Sequence, residues 1–365
     1  MDRLRTARVW KLSILFVFWA GVAQAASVTL AWDPNPEPVA GYRVYWGNVP
    51  GTYVGSVNVG NQTSYQMGGL TDGMPYYFVV RAYNSAGMLS APSVEVSRRV
   101  GIPFSIAGDF NGDFKSDIAV FRPSTGAWYI RGQATYMWGG GNDIPVAGDY
   151  DGDGKIDVAV YRPSTGVWYL RGLSNISWGG GADIPVVGDY SGDGKSDIAV
   201  YRPSTGAWYI RGYATYTWGG GNDIPVPGDY DGDGRTDIAV FRPSTGTWYI
   251  VRSVTGSGVV VTWGGGADLP VPGDYDGDGK TDIAVFRPSN GNWYTIKSST
   301  GVGSIVAWGG GADIPVPGDY DGDGKTDIAV FRPSDGSWYT INSTTGVGSI
   351  VTWGGGADIP ILKLP

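Results

Sequence analysis

The chain contains neither cysteine nor histidine. Without cysteine there can be no disulfide, no thiolate nucleophile and no lipid-modified cysteine behind a leader. Without histidine there is no Ser-His-Asp or Cys-His catalysis, no imidazole-bound zinc and no ordinary proton shuttle at neutral pH. Only Glu, Asp, Lys and Tyr chemistry stays open. Helical periodicity is missing throughout, and no apolar run after the first 25 residues is long enough to cross a bilayer. The chain is instead rich in glycine, with 61 residues, and its aspartates fall in tight groups.

The first residues resemble a targeting segment. Arg3, Arg5, Arg8 and Lys11 precede an apolar stretch from Leu12 to Ala23, and Ala23-Gln24-Ala25 has the form of a cleavage site. The expectation is an exported chain starting at Ala26, secreted or held at the cell surface, or left in the periplasm, with no membrane insertion after cleavage. Net charge is −8; losing the leader leaves 22 Lys and Arg against 33 Asp and Glu, or −11. Such acidity argues against a nucleic-acid partner.

Residues 27–98 carry no aspartate cluster and are read as short alternating strands: SVTLAWD (27–33), YRVYW (42–46), TSYQM (63–67), YYFVVRAYN (76–84) and SVEVS (93–97). Trp32 sits at a core position of an early strand, Leu70 precedes Tyr76 by six residues in GLTDGMPYYFVV, and AYNSAG follows. These residues resemble a fibronectin type III domain with a missing or very short first strand. No RGD tripeptide is present, so integrin-ligand behaviour is not implied. SRRVGIP (97–103) is read as a linker.

Beyond it the chain repeats. Trp138, Trp178, Trp218, Trp263, Trp308 and Trp353 each open a WGGG, spaced by 40, 40, 45, 45 and 45 residues. The five extra residues always fall between WY and WGGG, which marks a hairpin tip. Each repeat holds four strand-like runs, in the last one IPVPGDY, TDIAVFR, SWYTIN and SIVTW. Four short strands per repeat correspond to one β-propeller blade. The terminal GGGADIPILKLP copies the start of another repeat and is expected to pair with the first blade and close a ring. The expected architecture is all-β: a signal peptide at 1–25, a fibronectin type III β-sandwich at 26–98, and a six-bladed calcium-binding β-propeller at 99–365.

The aspartates recur at one place in every repeat, as D-x-[D/N/S]-x-D-G-x-x-D. Position 1 is Asp109, Asp149, Asp189, Asp229, Asp274 and Asp319; position 3 is Asn111, Asp151, Ser191, Asp231, Asp276 and Asp321. Position 5 is Asp113, Asp153, Asp193, Asp233, Asp278 and Asp323; position 9 is Asp117, Asp157, Asp197, Asp237, Asp282 and Asp327. Hard oxygen donors at this spacing, with a carbonyl at position 7, suit Ca²⁺, and glycine at position 6 permits the turn. An EF-hand would need a glutamate at position 12 and flanking helices, and neither is present. Up to six ions are expected. They would offset the 22 ligand aspartates and bring the net charge of the exported chain to +1. The first loop, with Asn111 and Phe114, should bind worst, and the third, with Ser191, weakly.

The loops and their framework resemble FG-GAP/VCBS repeats, the propeller repeats of integrin α-chain heads and of many exported bacterial proteins, across residues 102 to about 358. The resemblance implies a calcium-held platform for adhesion or recognition and names no ligand. At extracellular affinities of about 10⁻⁴ to 10⁻³ M, six ions contribute on the order of 2–8 kcal/mol at millimolar calcium.

Two other features repeat. The RPS arginines (Arg122, Arg162, Arg202, Arg242, Arg287, Arg332) are read as partners of the DIP aspartates rather than as an anion site. The WY and WGGG tryptophans are read as packing between blades rather than as sugar platforms. The functional expectation is a non-catalytic, multivalent binder of an extracellular protein or glycan. The alternatives are a carbohydrate-binding lectin and, less favoured for want of any unique acidic pair, a polysaccharide-active enzyme.

Overall fold

The computed structural model describes residues 12–14, 28–35, 38–49, 51–70, 75–99 and 107–362. The Ala23–Ala25 cleavage motif and the end of the linker, 100–103, lie outside the described residues. Every regular element described is a β-strand, and the chain divides into two compact units, Met1–Ile102 and Pro103–Pro365.

In the first unit a three-stranded sheet is formed by Leu12–Ile14, Val28–Trp32 and Ser64–Met67. A four-stranded sheet has the order Gly55–Gly60, Gly41–Gly47, Pro75–Tyr83, Val96–Arg99. Alternate residues of both sheets meet in one core: Val28, Leu30, Trp32 and Met67 face Tyr42, Val44, Phe78 and Val80. Leu70 and Tyr76 are buried there too. The strand at Gly55–Gly60 is not among the sequence-predicted ones: Val57 and Val59 alternate in it, but Asn58 and the glycines at both ends are residues that strands disfavour. The last strand begins at Val96, three residues later than SVEVS predicts. The segment ahead of it is tied down by side chains, with the hydroxyls of Ser90 and Ser93 accepting from Ala82 N and Val80 N. Within the expected leader, Leu12–Ile14 pairs antiparallel with Leu30–Trp32.

In the second unit the described residues form six four-stranded antiparallel sheets. Blade 4 is typical: Ile224–Pro225, Ile238–Arg242, Thr247–Val251 and Gly258–Thr262, in that order. The first strand is shorter than the seven residues of the corresponding sequence run, and it is equally short in blades 2 and 3, where Ala147 and Val187 stand in place of Pro227. Pairing resumes as a single bridge, Gly228 with Asp237, and likewise Gly148 with Asp157 and Gly188 with Asp197. The third and fourth strands are five residues long in blades 4–6, where the repeat has 45 residues, and the extra chain forms the tip between them.

The WY tryptophans (Trp128, Trp168, Trp208, Trp248, Trp293, Trp338) are fully buried. Each donates its indole N–H to the carbonyl of its own blade's WGGG tryptophan at 2.9–3.0 Å. The WGGG tryptophans reach across instead. Trp138 bonds Tyr169 O of the next blade, and the pattern repeats until Trp353 bonds Tyr129 O of the first. The terminal Ile359–Pro360 pairs with Val120–Phe121 and completes blade 1. The sheets therefore follow one another in a closed ring, which leaves no long sheet edge between first and last blade.

Candidate metal centres

In blades 2–6 each acidic loop joins the first strand to the second, and in blade 1, whose first strand is the terminal Ile359–Pro360, it leads into the second; all lie at the same end of the ring as the tip between the third and fourth strands. Position 1 organises the loop. In the last repeat Asp319 Oδ1 accepts from Gly322 N at 2.7 Å and Asp323 N at 3.1 Å, and Oδ2 accepts from Gly324 N at 2.9 Å. Position 9 closes it: Asp327 Oδ2 accepts from Tyr320 N at 2.8 Å, and Asp327 N donates to Gly318 O. The glycines at position 6 have φ between 83° and 91°. Phe114 holds the same place at φ 66°, the one non-glycine with positive φ among the described residues. That is a strained conformation for a bulky residue.

Three carboxylates converge in four loops. Asp149, Asp151 and Asp157 offer oxygens within 4.8 Å of one another, as do Asp229, Asp231 and Asp237, then Asp274, Asp276 and Asp282, then Asp319, Asp321 and Asp327. In the other two loops Asn111 and Ser191 stand at position 3. Asn111 donates to Asp117 Oδ1 at 3.0 Å, and Ser191 N donates to Asp197 Oδ2 at 2.9 Å. The position 5 residues Asp113, Asp153, Asp193, Asp233, Asp278 and Asp323 lie outside these groups. Each accepts from the backbone N–H two residues on.

The clusters are electrostatically costly. Burial pushes the carboxyls of Asp109, Asp149 and Asp274 up to about 6 and that of Asp229 up to about 7; amides at positions 4 and 6 pull the other way, and neighbouring carboxylates add to the rise. At position 9, burial likewise pushes Asp157 and Asp237 to about 6. Like charges gathered in a partly desolvated loop are what a hard divalent cation relieves, and the donor set is oxygen alone. The residues therefore fit such an ion.

The tips of blades 4–6 take part, which sequence spacing does not reveal. Ser253 N, Ser298 N and Ser343 N each donate to Oδ1 of the position 9 aspartate at 2.6 Å. The hydroxyls of the same serines reach Asp233, Asp278 and Asp323 at position 5. Ser299 Oγ and Thr344 Oγ1 add bonds to Asp276 and Asp323. The only clue in the sequence is that the long tips read RSV, KSS and NST where the short ones read RGQ, RGL and RGY. In blade 1 Gln133 donates to Asp117 instead.

At the opposite end of the ring the RPS arginines are internal partners. Arg162 forms a two-pronged pair with Asp143, both bonds 2.8 Å, and lies over the Tyr169 ring at 4.5 Å. Five equivalents follow, including Arg122 with Asp358 across the ring closure. The aspartates are buried.

Fold and loops together define a fibronectin type III sandwich followed by a β-propeller whose blades each present an acidic hairpin loop. The model of the fibronectin type III domain matches residues 21–98. That of the FG-GAP-like repeat matches 229–285 and 274–330, and that of the FG-GAP repeat matches 313–353. The chain thus carries a fibronectin type III domain over 21–98 and FG-GAP repeats within 229–353.

A Kelch domain-containing protein of Saccharolobus solfataricus is 45% identical over 78 residues, 21% of this chain. The match spans about a tenth of that relative's length. Among solved structures, an Agrocybe aegerita lectin described for recognition of non-reducing terminal N-acetylglucosamine aligns over 70% of this chain and 80% of its own, with 17% identity and TM-score 0.46. A virginiamycin B lyase from Staphylococcus aureus aligns over 78% and 82%, with 9% identity and TM-score 0.38. Similarity at this level carries no functional argument.

Proposed function

We propose that this chain is an exported, calcium-binding recognition protein that uses its propeller as a non-catalytic platform for adhesion. The observation that carries the reading is the set of hairpin loops at one end of a closed ring, four of them gathering three carboxylates within 4.8 Å. Ca²⁺ is the divalent ion that accepts six to eight oxygens in flexible geometry, whereas Mg²⁺ keeps several waters. The partner is an extracellular protein or a glycan, met outside the cell or at its surface. Repetition around the ring supports multivalent contact, which raises avidity without strong single sites.

The lectin reading cannot use the WY tryptophans as sugar platforms and would fall to the half-buried WGGG tryptophans. The WY tryptophans are buried and the WGGG tryptophans spend their N–H groups on neighbouring blades. The test is binding of the immobilised chain to extracellular-matrix proteins and to a glycan array, in millimolar calcium and in EGTA. Calcium-dependent capture of a matrix protein is expected. Capture confined to glycans returns the lectin reading, and release of sugar fragments from a polysaccharide panel contradicts a non-catalytic role.

A further inference from the structure

The six acidic loops are joined to one another. The N–H at position 8 of each loop donates to the position 1 carbonyl of the loop before it. Ile156 N bonds Asp109 O at 2.8 Å, Ser196 N bonds Asp149 O at 2.6 Å, and Thr236 N bonds Asp189 O at 2.7 Å. Thr281 N, Thr326 N and Ser116 N bond Asp229 O, Asp274 O and Asp319 O, each at 2.6 Å, and the last of these joins loop 1 to loop 6. The belt is closed.

A second tie runs beside the first. The stem of Lys280, at position 7 of loop 5, lies over Gly232 at position 4 of loop 4, so that a Cβ there would sit 2.9 Å from it. The same contact joins Lys155 to Gly112, Lys195 to Gly152, Arg235 to Gly192, Lys325 to Gly277 and Lys115 to Gly322. The glycine just before position 1 leaves no slack: a Cβ on Gly228 would lie 2.8 Å from the Thr281 hydroxyl.

We infer that the loops take up their ions as a coupled ring, each occupied loop raising the affinity of the two beside it. The inference rests on the calcium reading above. An ion draws positions 1 and 9 of its loop together. The position 1 residue is the one whose carbonyl holds position 8 of the next loop, directly before that loop's own position 9 carboxylate. Fixing one loop therefore fixes part of the ligand set of the next, and the second ion has less disorder to remove.

The test is a Ca²⁺ titration of the full chain labelled with ¹⁵N-glycine. Position 6 glycines report each loop separately, since Gly154, Gly194, Gly234, Gly279 and Gly324 donate to their own position 1 carboxylates at 2.8–2.9 Å. In Asp276→Ala, loop 5 should stop responding, and the midpoints at Gly234 and Gly324 should rise about fivefold, the low end of coupling between sites. Gly154, across the ring, should move least. If that variant does not fold, Asp151→Ala runs the same test, with Gly194 moving most and Gly279 least. Neighbours that titrate as in the parent chain, or all loops shifting equally, overturn the coupling. A parent chain whose glycines ignore Ca²⁺ removes the calcium reading and the coupling with it.

Discussion

Position 6 of the acidic loops shows how much one residue can decide. Five loops place glycine there with φ of 83–91°, and the first places Phe114 at φ 66°. Left-handed backbone costs a non-glycine residue about 1 kcal/mol or more. Phe114→Gly is therefore expected to stabilise the chain by about 1 kcal/mol, read as a higher melting temperature in the absence of calcium. The backbone strain of this loop is legible in the sequence because the other repeats supply the comparison. The carboxylates make a second prediction at this scale. The folded, metal-free loops hold protons more tightly than the unfolded chain, with Asp149 and Asp274 near 6 and Asp229 near 7 against an ordinary value near 4. Folding then takes up protons between those values, so stability in EGTA is full at about pH 4 and falls as pH rises towards 7. Melting scans in EGTA from pH 4.5 to 7.5 should show that fall. In saturating calcium, protons compete with the ion, and the trend at the acid end should reverse.

Hairpins are the elements in which sequence reading reaches furthest and then stops. A five-residue insertion always between WY and WGGG identifies a tip. What the tip faces depends on the register of the blade, which brings Ser298 and Ser299 onto Asp282, Asp278 and Asp276. The length change is thus part of the acidic centre in blades 4–6. Removing the two hydroxyls with Ser298→Ala and Ser299→Ala should cost about 1–2 kcal/mol of calcium affinity at that loop, or roughly 5- to 30-fold, since hydrogen bonds to charged groups are the stronger kind. Isothermal titration checks it: the number of ions should hold and the affinity of one class should drop. The strand at Gly55–Gly60 escapes sequence reading for a different reason. Its two valines are separated by Asn58 and flanked by glycines, and pairing with Gly41–Gly47 makes it a strand.

For the whole molecule, repetition makes the fold legible: six copies of one pattern point to six blades, and the terminal DIP copy points to closure. The structure adds how closure is secured. Ile359 pairs with Phe121, Arg122 grips Asp358, and Trp353 reaches Tyr129 O. The belt of loops, by contrast, cannot be read from any single repeat, because each of its bonds joins two. Strand pairing, buried apolar cores, tryptophan staples and ion pairs hold the ring without a disulfide, and the crowded carboxylates of the acidic end work against them. A divalent ion that neutralises those loops would hold the ring. Differential scanning calorimetry of the full chain in millimolar calcium and in EGTA tests it most directly. The melting temperature should be higher by at least ~5 °C in calcium, as a contribution of a few kcal/mol implies. Superimposable transitions in the two buffers would contradict it.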